Sequence, residues 1–160
     1  NIGNFSREEA VSFFRHLRSV MNPADRIFIG FDMQKDPRVI VRAYDDPHGV
    51  TSAFNLNLLR RINRELGADF VPKNVSHYAP YRPVECAARS YLISREKQSV
   101  RIGALGRTFE FDQWEPIFME ISQKYNSDQI TQFAKKANFK TVNNFFDSKG
   151  WFVDTVWVAQ

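Results

Sequence analysis

From residue 6 to residue 20 the apolar positions recur at helical spacing. Val11, Phe14, Leu17 and Val20 form one stripe of "SREEAVSFFRHLRSV", and Ser6 followed by Glu9 gives a capping-box pair ahead of it. The spacing predicts a helix of about 15 residues. "RIFIGFD", residues 26–32, then runs apolar without interruption and is too short for a helix, so it reads as a buried parallel strand. Helix followed by buried strand is one half of a doubly wound α/β unit.

After Asp32 the pattern changes. "MQKDPRVIVRAYDDPHG" predicts one or two helical turns opened by Pro37 and broken at Pro47 and Gly49. "VTSAFNLNLLRRINRELG" places Phe54, Leu58, Leu59, Ile62 and Leu66 on one helical face, and Gly67 stands where such a helix should stop. Residues 70–90 hold Pro72, Pro80 and Pro83 without a clear period and predict irregular structure with short helical or extended pieces. Three strand-like runs follow, "RSYLISR", "SVRIGAL" and "RTFEFD", the last two joined by a turn over Gly103–Gly106. "NSDQITQFAKKANF" predicts a helix capped by Asn126 or Ser127, and "KTVNNFFDSKGWFVDTVWVAQ" two strands joined at "DSKG".

Between these lies "PIFMEISQKY", residues 116–125, which alternates as a strand does. Ile117, Met119 and Ile121 would share one face, and Phe118, Glu120 and Ser122 the other. A carboxylate and a hydroxyl in an apolar run either face water or line a pocket that holds a small polar ligand; the pattern alone leaves both open.

Composition narrows the class. With 43% hydrophobic and 25% charged residues the chain is an ordinary globular domain. One cysteine, Cys86, excludes an internal disulfide and fits a reducing cytoplasm. No apolar run approaches the roughly 20 residues of a membrane span, and the first residues lack the order of a signal peptide, so no membrane partner is expected. The net charge of +4 is spread along the chain, and its densest basic group, "LLRRINREL", also carries Glu65; this is a solvated helix face, and nucleic acid is not an expected partner. His16, His48 and His77 have no metal-ligand spacing, and Asp32, Asp45 and Asp46 read as capping or solvated groups, so no metal is expected.

A buried parallel strand needs neighbours, and residues 1–32 supply only one strand of that kind. The expectation is therefore the C-terminal part of a longer protein, whose missing N-terminal half completes the sheet.

"IGNF", "AYDDPHGVTSAFNLNLLRRINRELGADF", "MEISQKY" and the late "GWF", in this order, resemble the C-terminal half of the histidine-specific, S-adenosylmethionine-dependent N-α-methyltransferases of ergothioneine biosynthesis. The resemblance covers essentially all 160 residues. It implies an α/β fold, the C-terminal part of a class I (Rossmann-like) methyltransferase with an inserted α+β substrate-binding domain. Residues 1–33 would supply a helix and strand of the methyltransferase domain, 34–124 the insert, and 125–160 the returning helix and terminal hairpin. It also implies the function: methyl transfer from S-adenosylmethionine to the α-amino group of L-histidine, toward hercynine. The cofactor would be bound mainly by the missing half, so that this fragment alone would be inactive and supplies no cofactor-binding residue.

The family's histidine-binding pattern falls on Asn4, Tyr44, Glu120 and Ser122. Asn4 and Tyr44 would take the substrate carboxylate, and Glu120 and Ser122 the two imidazole nitrogens. No catalytic base is assigned. One departure stands out: where the family shows an Arg-apolar-Glu-Met-His-Leu run, this chain has "AARSYL", with Ser90 at the methionine position and Arg89 at its acidic neighbour. The alternatives are an amino-acid-binding module without catalysis, and a methyltransferase of another aromatic amino acid.

Overall fold

The computed structural model describes residues 2–160. In chain order the elements are α1 (Arg7–Ser19), β1 (Arg26–Asp32), α2 (Pro37–Tyr44), α3 (Val50–Leu66), β2 (Val75–Tyr78), β3 (Tyr81–Arg82), β4 (Ala87–Ser94), β5 (Gln98–Ile102), β6 (Arg107–Phe111), β7 (Pro116–Gln123), α4 (Ser127–Lys136), β8 (Phe139–Phe146) and β9 (Phe152–Ala159). Short 3-10 turns cover Ile2–Asn4, Pro72–Asn74 and Gly103–Leu105. The chain forms two compact units. The first comprises the described residues up to Asp36 together with Arg82–Ala87 and Ile121–Gln160; the second comprises Pro37–Tyr81 and Ala88–Glu120.

In the first unit the sheet order is β1-β9-β8, all antiparallel. Ile27 pairs with Trp157 and Phe31 with Val153, so these side chains share the face that joins the helices' core. Phe14 of α1, Phe133 of α4 and Trp157 of β9 meet there with Phe31, Tyr125 and Phe139. Both helices begin on capping boxes, Ser6 with Glu9 and Asn126 with Gln129, which satisfy amides that the first helical turn cannot. Gly30 leaves room inside β1: a Cβ there would lie 2.5 Å from the tip of the Phe152 ring, which would have to shift. On the face away from the core, Phe28, Phe145 and Phe152 stand exposed.

β1 pairs along one edge with β9, antiparallel, as the expected terminal hairpin at a sheet edge does; only Phe31 of its seven residues is fully buried, and among the described residues no strand pairs with its other edge. The parallel contact in this region is a single bridge from Met33 to Tyr125, just beyond the strand.

The second unit packs α3 on a sheet in which β4 pairs with β2, β3 and β7. Leu59, Phe70, Val75, Leu92 and Val100 form its core, with Leu56, Ile62, Ile117 and Met119 against it. α3 starts where both carboxylate oxygens of Asp46 accept from Val50 N–H and Thr51 N–H at 2.9 and 2.8 Å. These bonds hold the Asp46 carboxyl down at about 2. α3 stops at Gly67, whose φ of 60° suits a residue without Cβ. The stretch 70–90, expected to be irregular with short helical or extended pieces, contains the 3-10 turn Pro72–Asn74, β2, β3 and the start of β4; β2 is only four residues long, too short for its period to show.

Candidate functional site

In the second unit a hollow of about 230 Å³ lies between α3 and β7. Residues of α3 displaced from its core stripe, Phe54, Asn57, Leu58 and Arg61, line it together with Asn55, while Met119 and Glu120 close it from the strand. It falls below the roughly 300–1,000 Å³ of drug-sized pockets and mixes apolar walls with a few polar groups, as small-ligand sites do. Arg61 is engaged by Glu65 one turn on, at 3.1 Å.

The expected alternation of "PIFMEISQKY" holds for Pro116–Met119, exposed and half-buried in turn, and then fails: Met119, Glu120, Ile121 and Ser122 are all half-buried. Phe118 lies edge-on to Tyr91 at 5.8 Å and is mostly exposed. Glu120 instead lines the hollow beside Met119, its neighbour in the chain. The two offered readings of this carboxylate, solvent or pocket, thus meet at a half-buried position on a pocket wall.

Behind it, Asn55, only 3% exposed, donates from its amide nitrogen to the Thr51 carbonyl at 3.0 Å and places the same nitrogen 3.3 Å from His77 Nε2. Because the Thr51 oxygen can only accept, this amide nitrogen is the donor, and His77 Nε2 is the acceptor of a neutral ring. Burial, opposed in part by Asp45, Asp46 and Glu120, holds the His77 imidazole below its ordinary value. The linkage has a definite sign. A pKa lower in the folded than in the unfolded chain leaves stability intact above the unfolded value near 6.5, and withdraws it as pH falls through the folded value. Thermal melts between pH 7 and 5 should therefore show a loss of stability that is smaller in His77→Gln; a parallel pH profile for the variant would contradict this role.

Ser122 belongs to the first unit. Its Oγ accepts from Lys124 Nζ at 2.9 Å, and the same ammonium, 1% exposed, lies 2.7 Å from Asp32 Oδ2 at the end of β1. Lys35 Nζ takes the other oxygen of Asp32 at 2.6 Å and reaches the Trp151 carbonyl at 2.9 Å, with the Trp151 ring 5.5 Å away. One carboxylate therefore holds two lysines. Glu120 and Ser122 stay two residues apart on β7, which passes from the second unit into the first between them.

Asn4, in the first unit, is the exposed last residue of the 3-10 turn before α1, where the capping is done by Ser6. Tyr44, in the second, is the half-buried last residue of α2. Sequence reasoning missed Lys124, Asn55 and the function of Asp32 as an ion-pair partner. The signal for Lys124 was present, a lysine in the apolar run "MEISQKY" two residues after Ser122. Among the described residues no three His, Cys, Asp or Glu side chains lie close enough to hold a metal ion, and no helix is long and apolar enough to cross a membrane.

The family described as "Histidine-specific methyltransferase, SAM-dependent" matches residues 1–159. The chain is 37% identical over 151 residues to the histidine N-alpha-methyltransferase of Mycobacterium tuberculosis, a match covering 94% of this chain and 47% of that protein. It is 34% identical to the protein of the same name from Mycolicibacterium smegmatis, with the same coverage. Against the ergothioneine biosynthesis protein 1 of Schizosaccharomyces pombe the identity is 30%, over 91% of this chain and 19% of the relative. The chain spans about half the length of the bacterial relatives or less of the fungal one. On the match across residues 1–159, this chain belongs to the family of S-adenosylmethionine-dependent, histidine-specific methyltransferases.

Proposed function

We propose that these residues are the substrate-binding portion of a methyltransferase that moves methyl groups from S-adenosylmethionine to the α-amino group of L-histidine, toward hercynine. The observation that carries the reading is Glu120, a half-buried carboxylate set on a pocket wall where strand alternation breaks. In this reading Glu120 accepts the N–H of one imidazole nitrogen and the Ser122 hydroxyl engages the other, while Asn4 and Tyr44 take the amino-acid carboxylate. A pocket whose polar groups are buried with the substrate disfavours a ring that cannot satisfy them. Methyl transfer from a sulfonium to a neutral amine then depends mainly on alignment.

The cofactor is assigned elsewhere. The segment after β1, Met33–Asp36, contains no glycine and leads into Pro37, and the described glycines with positive φ, Gly49, Gly67, Gly106 and Gly150, lie at helix ends and turns. These residues do not form a phosphate- or nucleoside-cradling turn of the glycine-rich kind. The methyl donor is therefore proposed to sit mainly on the half of the relatives that this chain does not span. The exposed aromatic face of Phe28, Phe145 and Phe152 favours the same half as the partner that covers it. A reducing cytoplasm suits the single thiol of Cys86.

A specific observation favours a second reading, methylation of another aromatic amino acid. Ser90, at the family's methionine position, is fully buried with no hydrogen-bond partner for its hydroxyl among the described residues, so the interior of the second unit differs there in size and polarity. Assay of the full-length protein that carries this chain, with S-adenosylmethionine and either L-histidine or L-tryptophan, separates the readings. The proposal expects methylated histidine and little reaction of tryptophan. Equal turnover of both, or of tryptophan alone, contradicts it, and histidine binding without turnover would make the chain part of a binding module.

A further inference from the structure

We infer that Asn55 is a further specificity-determining residue of the hollow: its side-chain carbonyl is a second acceptor, beside Glu120, for the N–H of the substrate ring. The inference rests on the reading of Glu120 as the acceptor of that N–H, and it draws on residues of the second unit alone.

A primary amide has two donor hydrogens and one acceptor oxygen. In Asn55 both hydrogens are spent inside the fold, on the Thr51 carbonyl at 3.0 Å and on His77 Nε2 at 3.3 Å. Thr51 lies one turn earlier on α3 and His77 on β2, so helix and strand both hold the amide. The reversed amide is excluded, because its carbonyl would face the Thr51 carbonyl. Only the oxygen is left over. No donor among the described residues reaches it, although Asn55 is 3% exposed and lines the hollow. Nor is that oxygen sealed in the core: the fully buried polar side-chain atoms without a partner among the described residues are Ser90 Oγ and Trp157 Nε1. What little surface Asn55 keeps therefore includes its carbonyl oxygen. Glu120 is the second acceptor of the hollow, and no hydrogen bond or ion pair among the described residues engages its carboxylate. Arg61, the cation of the hollow, is turned to Glu65. Two acceptors, one charged and one neutral, are thus open to the same ligand. A ring that enters N–H first brings them the proton they lack. A ring that presents a lone pair or a sulfur sets an electron-rich atom against both oxygens and leaves a nearly buried acceptor unsatisfied. Asn55 adds this test of polarity to the apolar walls of Phe54, Leu58 and Met119.

The test compares histidine with thiazolylalanine, the analogue that keeps the ring size and the pyridine-type nitrogen and carries sulfur in place of the N–H. Affinities are measured by calorimetry on the full-length protein that carries this chain, with S-adenosylhomocysteine present. The wild-type protein should prefer histidine. Asn55→Leu should lower that preference about tenfold, the size of one net hydrogen bond, by weakening histidine while thiazolylalanine binds as before or tighter. A purely structural role for Asn55 would weaken both ligands alike and leave the ratio unchanged, and that result overturns the inference. Glu120→Ala, measured in the same way, keeps the two claims apart. A ratio that falls in Glu120→Ala and holds in Asn55→Leu overturns the inference and leaves the reading of Glu120 standing. A ratio that holds in Glu120→Ala, or a wild type without preference, overturns that reading and the inference with it. Should Asn55→Leu fail to fold, Asn55→Ala, which places the strongest helix former in α3, is judged by the same ratio. A fall of about tenfold there supports the inference, and an unchanged ratio overturns it.

Discussion

Replacing Glu120 with Ala is expected to weaken histidine binding by about 10- to 150-fold, the cost of one hydrogen bond to a charged group. Tryptophan binding, by contrast, should change little. Glu120 is half-buried on the wall of the hollow beside Met119, so its carboxylate is partly shielded there and a bond it accepts is stronger than one in open water. Imidazole supplies an N–H for it. Indole also has an N–H, but on a larger ring that cannot offer Ser122 a lone pair. The protein should keep its melting temperature, since a half-exposed carboxylate outside both apolar cores contributes little to folding. Calorimetry with both amino acids reads the effect. A fall for histidine and tryptophan alike would mean that Glu120 shapes the pocket instead of recognising the ring.

The largest effect on stability is expected at Trp157. Its ring is fully buried and meets Phe14 at 4.9 Å, Phe139 at 5.8 Å and Phe31 at 5.9 Å, so it joins α1, β1 and β8 in one cluster. Trp157→Ala should cost about 3–5 kcal/mol, as removal of a large buried aromatic leaves a cavity that these neighbours fill only in part. Trp157→Phe should cost much less. The indole N–H has no partner among the described residues, and a phenyl ring abolishes that unsatisfied donor. Urea unfolding measures both. An alanine variant within about 1 kcal/mol of wild type would mean that the cluster is not the core of this unit.

How far the chain could be read in advance depended on how local each feature is. α1, α3 and α4 were legible because a cap or a stop falls within a few residues: Ser6 with Glu9, Asn126 with Gln129, and Gly67 at the end of α3; the α3 stripe was read only in part, since Phe54 and Leu58 lie off its core and line the hollow. For β1 the apolar run marked a strand but not the direction of its partner. Its partner β9 arrives only at Phe152, and with it the reason for Gly30, which clears the Phe152 ring. β2 was foreseen only as one of several short helical or extended pieces because four residues cannot display a period, and its place is set by pairing with β4. At the candidate site the sequence indicated Glu120 and Ser122 through their place in an apolar strand. The structure sets Phe118 against Tyr91 and Glu120 on the wall of the hollow. Lys124 and Asp32 lie 92 positions apart, and only the fold brings them to 2.7 Å.

The most direct test is a crystal structure of the full-length protein with L-histidine and S-adenosylhomocysteine. The account predicts one imidazole nitrogen within about 2.7–3.2 Å of a Glu120 carboxylate oxygen and the other at similar distance from Ser122 Oγ. An imidazole bound with neither residue in reach, or both side chains turned into solvent away from the ligand, would contradict it.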